Sequence, residues 1–312
     1  MITEMPVSFT NGNGQILTGI LHVPGEGPGR HTGISILNPG IKNRVAPNRL
    51  NVKLARKLCS LGYPILRFDP EGVGESGGEL PRTSVQNIWG IIQQGHFIGD
   101  ILASNRFFRN KTGIQQILLA GICGGAISAL LASEQDDNIS GLILIDVPVF
   151  LEGERDYAAT IVPGRYADMV FMQYAYKFFI FSAWRRFLTL QTDYRALARA
   201  FWVKLGGTGL ASKTPAKSGD KKISGLPFNE KFIPAYQKFV DGQGKVLFVL
   251  AENDASTAYF ENLFAKDFLS EENKAGCERL KISNANHIYA LKEWQKQLMN
   301  GVCDWVTTHF SG

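Results

Sequence analysis

The chain has 312 residues, 45% of them hydrophobic and 11% aromatic, with 33 Lys and Arg against 28 Asp and Glu. This composition excludes the disordered and fibrous classes, and the length suits one α/β domain carrying an insertion. A formal net charge of +5 is too small to imply nucleic-acid binding unless the basic residues cluster.

The first residues, MITEMPVSFTNGNGQILTGILHV, alternate as two strands around Asn11-Gly12-Asn13-Gly14. They lack the basic start and unbroken apolar run of a secretion signal. Short apolar runs then alternate with helical stretches, which predicts strands at 33–37, 63–68, 115–120 and 141–145 and helices at 48–61, 96–108 and 124–133. The rhythm resumes late in the chain with a strand at 245–250, a helix at 258–268, a strand at 278–282 and a helix at 289–306. Such alternation predicts a mostly parallel central sheet flanked by helices. No internal repeat is visible.

Between 151 and 240 the rhythm breaks. This segment holds 14 Lys and Arg against 7 Asp and Glu, while the rest of the chain holds 19 against 21, so all the net positive charge is here. It also contains 17 of the 34 aromatic residues. The expected organisation is a core formed by 1–150 and 241–312, with 151–240 an inserted helical lid that includes a Gly-, Ser- and Lys-rich loop at 206–225. Within the lid, Phe171, Tyr174, Phe178, Phe181 and Trp184 recur at helical spacing and form one apolar face, a candidate substrate pocket. The most apolar long window, 169–184, is broken by Gln173 and Lys177 and is short for a membrane span. Arg165, Lys177, Arg185, Arg186, Arg195 and Arg199 make the lid basic, a surface suited to an acyl carrier protein, a phosphate-bearing thioester or an anionic membrane.

Cys59, Cys123, Cys277 and Cys303 are too scattered for a zinc site and too few for a disulfide scaffold, which fits a reducing, cytoplasmic setting. No metal-ligand spacing is present, and FDPEGVGESGG lacks the Lys of a phosphate loop, so neither metal nor organic cofactor is expected. The informative stretch is QQILLAGICGGAISALLAS, a strand meeting Gly121-Ile122-Cys123-Gly124-Gly125 and then an Ala/Leu helix. A nucleophile on such a turn sits in strained backbone between glycines, and the helix N-terminus favours thiolate over thiol. Its base and acid are expected after later strands: His287 in NANH, and Asp254 in AEND, with Asp146 after GLILI as the alternative acid. An oxyanion hole is expected from the Gly124 N–H and, in the loop Asn38-Pro39-Gly40-Ile41, the Ile41 N–H.

With GICGG, NPGI, FDPEGVGESGG, AEND and His287 in this order, the chain resembles the α/β-hydrolase superfamily over nearly its whole length. Two departures stand out: Cys123 where the family usually has Ser, and Pro39 where it has His. The cysteine is similar to that of dienelactone hydrolases and of G-x-C-S-G-A hydrolases of biosynthetic clusters. The resemblance implies a lid between the sixth and seventh strands and an acyl hydrolase that forms an acyl-cysteine on a hydrophobic ester or thioester. The same triad would serve an acyltransferase or cyclase. A non-catalytic ligand-binding protein of this fold is a further alternative, although none of the three triad positions is damaged. A haloperoxidase-like or epoxide-opening use of the fold suits an oxygen nucleophile better than a thiol. Dienelactone hydrolases use an extra Glu near their Cys, so Glu71 would tune the Cys123 thiol if its carboxylate reached it; the favoured reading of Glu71 is an exposed loop carboxylate.

Overall fold

The computed structural model describes residues 2–25, 30–151, 228–269 and 276–311. Most of the expected insert therefore lies outside the described residues, including Phe171, Tyr174, Phe178, Phe181, Trp184 and the lid's arginines.

Eight described strands form one sheet: β1 (Thr3–Thr10), β2 (Ile16–Val23), β3 (Thr32–Ile36), β4 (Ile65–Phe68), β5 (Gln116–Ile122), β6 (Ile139–Ile145), β7 (Lys245–Ala251) and β8 (Cys277–Ile282). Their order across the sheet is β1-β2-β4-β3-β5-β6-β7-β8. β1, β2 and β4 pair antiparallel, and every pairing from β4 to β8 is parallel. Strands β3 to β7 are almost wholly buried, as strands covered by helices on both faces must be, and this is why they read as unbroken apolar runs.

Helices α1 (Leu50–Ser60) and α7 (Lys292–His309) cover one face. Their Leu54, Leu58, Leu298, Val302 and Val306 pack with Ile34, Leu118, Ile143 and Val249 of the strands. On the other side α4 (Gly124–Ser133) packs with α2 (Val85–Gln93), α3 (Ile98–Thr112) and α5 (Phe232–Asp241). Every helix expected in the described core is present, with ends shifted by a few residues. Two helices are additional. α2 carries an N-cap signal, Ser84 accepting from the Asn87 N–H at 3.2 Å, that could have revealed it. The composition predicts an insert running to 240, but α5 belongs to the core. Its buried Phe232, Ala235, Tyr236 and Phe239 form one stripe, and Tyr236 lies 5.0 Å from Phe264 and 6.0 Å from Phe248 of β7, ring centre to ring centre. The 258–268 helix starts earlier, as α6 (Ala255–Phe260), and continues through a π-helical turn, Glu261–Ala265. Among the described residues no helix is long and apolar enough to cross a membrane.

Between β2 and β4 lies a buried polar chain. Arg67 Nε donates to His22 Nε2 at 2.9 Å, and His22 Nδ1 faces Glu4 at 3.4 Å. Burial and the adjacent Arg67 charge pull His22 down to about 4, so it is neutral at physiological pH. On acidification the unfolded chain gains a proton at its ordinary 6.5 that the folded chain refuses until about 4. Stability should therefore fall between those values, by up to about 3 kcal/mol. Urea unfolding at pH 7 and 4.5 is expected to show this loss in the unmutated protein and a smaller one in His22→Gln.

Candidate active site

The parallel register brings four segments to one edge of the sheet. Ile122 pairs with Ile145, Ile145 with Val249 and Ala251 with Ile282. Cys123, Asp146 and the loops holding Asp254 and His287 therefore leave neighbouring strands at their C-terminal ends, where open α/β sheets form their ligand sites. Backbone hydrogen bonds extend the register beyond the strands, from Cys123 N–H to Ile145 O at 2.9 Å and from Asp146 N–H to Val249 O at 2.8 Å.

Cys123 occupies the β5–α4 turn with φ 52° and ψ −117°, a conformation that costs an L residue about 1–3 kcal/mol. Its glycine neighbours make it accessible. A Cβ on Gly121 would stand 2.3 Å from the Gly125 carbonyl carbon, and one on Gly125 would stand 2.4 Å from the Asn38 oxygen. On Gly124 it would stand 2.9 Å from the α-carbon of Gly40. The 38–41 loop is thus pressed backbone to backbone against the start of α4. Gly40, at φ +62°, is covered by the Trp89 ring of α2. The N–H groups of Ile41 and Gly124 donate no hydrogen bond among the described residues. The same loop is held from behind: the Arg44 N–H donates to Asp69 Oδ1 at 2.5 Å, and the Arg44 guanidinium pairs with Asp69 and Glu75. Arg67 adds a bond to the Arg44 carbonyl at 3.1 Å.

The two loops after β7 and β8 are laced together. Asn253 N–H donates to Ala285 O at 2.8 Å, and Glu252 accepts from the Asn284 N–H at 2.8 Å, which commits Glu252 to loop structure. Asn286 and Asn48 fasten the histidine loop: Asn286 O accepts from Tyr289 N–H at 2.9 Å, and Asn48 Nδ2 donates to Ile288 O at 2.9 Å. In this frame His287 Nδ1 stands 2.5 Å from Asp254 Oδ2. Asp254 also caps α6, accepting from the Ser256 N–H at 3.2 Å and the Ser256 hydroxyl at 2.7 Å. Burial alone would raise the Asp254 carboxyl, but the hydrogen bonds from His287 and Ser256 hold it below the usual range. Burial alone would lower His287, but the hydrogen bond to Asp254, reinforced by the nearby Cys123 sulfur, raises it well above its ordinary value. The structure thus pairs His287 with Asp254 and sets the Cys123 sulfur close enough to shift the imidazole.

Asp146 lies beneath that array, its Oδ2 4.0 Å from His287 Nδ1. Asp146, Asp254 and His287 present ligand-type atoms within 4.8 Å of one another. The 2.5 Å His287–Asp254 contact is closer than the roughly 3 Å between ligand atoms on one small ion with bonds of about 2 Å. The pair is built as a hydrogen bond. Burial pushes the thiols of Cys59, Cys277 and Cys303 up to about 11, so none of them is a ready thiolate. Glu71 does not serve the thiol: its carboxylate accepts from Asn11 at 2.8 Å and Asn13 at 2.9 Å in the β1–β2 turn.

Residues 36–288 match the alpha/beta hydrolase fold family. The chain belongs to the alpha/beta hydrolase family. Among solved structures it is similar to esterase Pf2001 of Pyrococcus furiosus, with TM-score 0.60, 13% identity, and coverage of 99% of this chain and 92% of that one. It is also similar to the alpha/beta hydrolase GrgF from Penicillium sp. sh18 (TM-score 0.57, 18% identity, 99% and 100% covered). Est1E from Butyrivibrio proteoclasticus, solved with ferulic acid bound, is a third (TM-score 0.53, 17% identity, 99% and 100% covered). At these identities the likeness is one of fold. No curated protein matches the chain.

The glycine contacts are testable. Gly121→Ala places a methyl group against backbone and is expected to cost about 3 kcal/mol in urea unfolding. Gly99→Ala, on α3 with nothing within 4 Å of the added carbon, should instead be neutral or stabilising by about 0.5–1 kcal/mol.

Proposed function

We propose that this hydrolase cleaves esters or thioesters through Cys123, with His287 as base and Asp254 as the acid that orients it. The observation that carries this reading is the His287–Asp254 hydrogen bond with the Cys123 sulfur, on its strained turn, close enough to shift the imidazole, while the N–H groups of Gly124 and Ile41 stay unengaged among the described residues. Hydrolysis proceeds in two halves. The Cys123 proton passes to His287, the sulfur bonds to the substrate carbonyl carbon, and the oxygen takes up charge facing the Gly124 and Ile41 N–H groups. The tetrahedral centre collapses, the leaving group departs with the proton from His287, and an acyl-cysteine remains. Water, losing a proton to His287, then releases the acid and the thiol. Asp254 holds the ring with Nδ1–H toward itself, leaving Nε2 to work on the sulfur side.

Sulfur at this position supports a second reading. The acyl-cysteine is a thioester, and an alcohol or amine arriving in place of water would complete an acyl transfer or a cyclisation. The apolar stripe of the 151–240 segment argues for a hydrophobic acyl group, each buried CH₂ adding about 0.8 kcal/mol. Its surplus of Lys and Arg argues for an acidic carrier of that chain, such as an acyl carrier protein, or for an anionic surface. Four unpaired cysteines fit a cytoplasmic enzyme.

Cys123→Ala is expected to remove turnover on nitrophenyl and thioester substrates by roughly 1,000-fold or more while leaving thermal stability nearly unchanged. Peptide mapping after brief iodoacetamide treatment at neutral pH should find Cys123 alkylated first. Labelling of Cys59, Cys277 or Cys303 ahead of it would remove the nucleophile assignment.

A further inference from the structure

Asp146 is more than a neighbour of the array. Its side chain is fully enclosed, and its Oδ2 is the only carboxylate oxygen among the buried, unpartnered polar atoms of the described residues. Oδ1 is satisfied by the Ala251 N–H at 2.7 Å, but Oδ2 faces His287 Nδ1 at 4.0 Å and the Tyr289 hydroxyl, itself without a hydrogen-bond partner among the described residues. The residue also holds φ at 45°, unusual for a non-glycine residue. A buried carboxylate whose second oxygen has only the Tyr289 hydroxyl and the His287 ring near it, neither in full hydrogen-bond geometry, on strained backbone, is a costly arrangement that a purely structural strap does not need.

Resting on the reading of Cys123 as nucleophile and His287 as base, we propose that Asp146 is a second carboxylate of the His287 base, a positioning residue that shares with Asp254 the task of holding the imidazolium charge. Among the described residues, the titratable groups that act on it are Asp254 from the loop after β7 and His287 and Tyr289 from the loop after β8. Burial, reinforced by the Asp254 charge, pushes the Asp146 carboxyl up to about 7, while His287 opposes that shift. Below neutrality Asp146 carries a proton. Above neutrality it releases the proton to solvent, and a second negative charge then faces the ring. That charge raises the proton affinity of His287 as solvent pH rises, so the imidazolium beside the Cys123 sulfur persists to higher pH than Asp254 alone would allow.

Iodoacetate tests this without a known substrate. Being an anion, it alkylates a thiolate fastest while the adjacent imidazolium keeps its charge, so its rate at Cys123 should fall on the alkaline side as His287 loses its proton. Asp146→Asn preserves an oxygen for the Ala251 N–H and removes only the charge. The alkaline fall is expected to move to lower pH in Asp146→Asn, and to lie lower in the double variant with Asp254→Asn than in Asp254→Asn alone. An unmoved limb, or one moved upward, in either background would overturn the role of Asp146 while leaving the Cys123–His287 pair intact. Absence of any alkaline fall in the unmutated protein overturns the nucleophile and base reading, and this inference with it. Should Asp146→Asn fail to fold, carboxyl ¹³C NMR of the unmutated protein decides: titration of Asp146 near neutrality supports the proposal, and titration below pH 5 overturns it.

Discussion

The close approach of backbone to backbone around Cys123 is the constraint on which the site depends. Three chain segments meet there with no side chains between them: the end of β5 at Gly121, the start of α4 at Gly124 and Gly125, and the 38–41 loop. Cys123 takes its strained φ at this turn, and the same packing seats Gly40 of the 38–41 loop against the start of α4 at Gly124. Only residues without a Cβ allow this approach, so the strained turn at Cys123 and the seating of the 38–41 loop against α4 are two results of one packing event. The backbone strain is sustained by the buried sheet on one side and by α2, through Trp89 and Ile92, on the other.

Behind the 38–41 loop stands a polar support that an apolar core would not provide. Arg44 pairs with the fully buried Asp69, and Arg67 bonds both to His22 and to the Arg44 carbonyl. Such a chain trades desolvation for direction. Charged hydrogen bonds fix the path of the loop where dispersion contacts would let it slide, and keeping His22 neutral places one cation, Arg67, among acceptors.

The acidic side of the site follows from strand order. β6 lies between the strand that delivers Cys123 and the strand that delivers Asp254. The residue leaving β6 is therefore buried under the bridge that His287 makes between them. That this residue is an aspartate places two carboxylates on one imidazole, and the unequal distances, 2.5 Å and 4.0 Å, make Asp254 the hydrogen-bonded partner and Asp146 the enclosed one.

Much of this was legible in the chain itself. Period-two and period-3.6 apolar patterns determine the sheet and its covering helices, because burial on two faces leaves no room for polar residues. Gly121, Cys123 and Gly125 announce the strained turn because glycine is the one residue that the required backbone contacts permit. His287 and Asp254 stand out by following strands. The sequence did not determine which acid bonds the histidine, since Asp146, Glu252 and Asp254 all follow strands of the same sheet. Tertiary contacts decided it, by engaging Glu252 with the Asn284 backbone and bringing Asp254 rather than Asp146 to within a hydrogen bond of the ring. The same holds for Glu71, which the β1–β2 turn claims through Asn11 and Asn13, and for α5, whose aromatic stripe fits a lid or a core equally well until Phe248 and Phe264 are seen to receive it. Composition and spacing record which chemistry a chain carries, whereas partners distant in sequence choose among equivalent groups, and only the folded backbone brings them within a few ångströms.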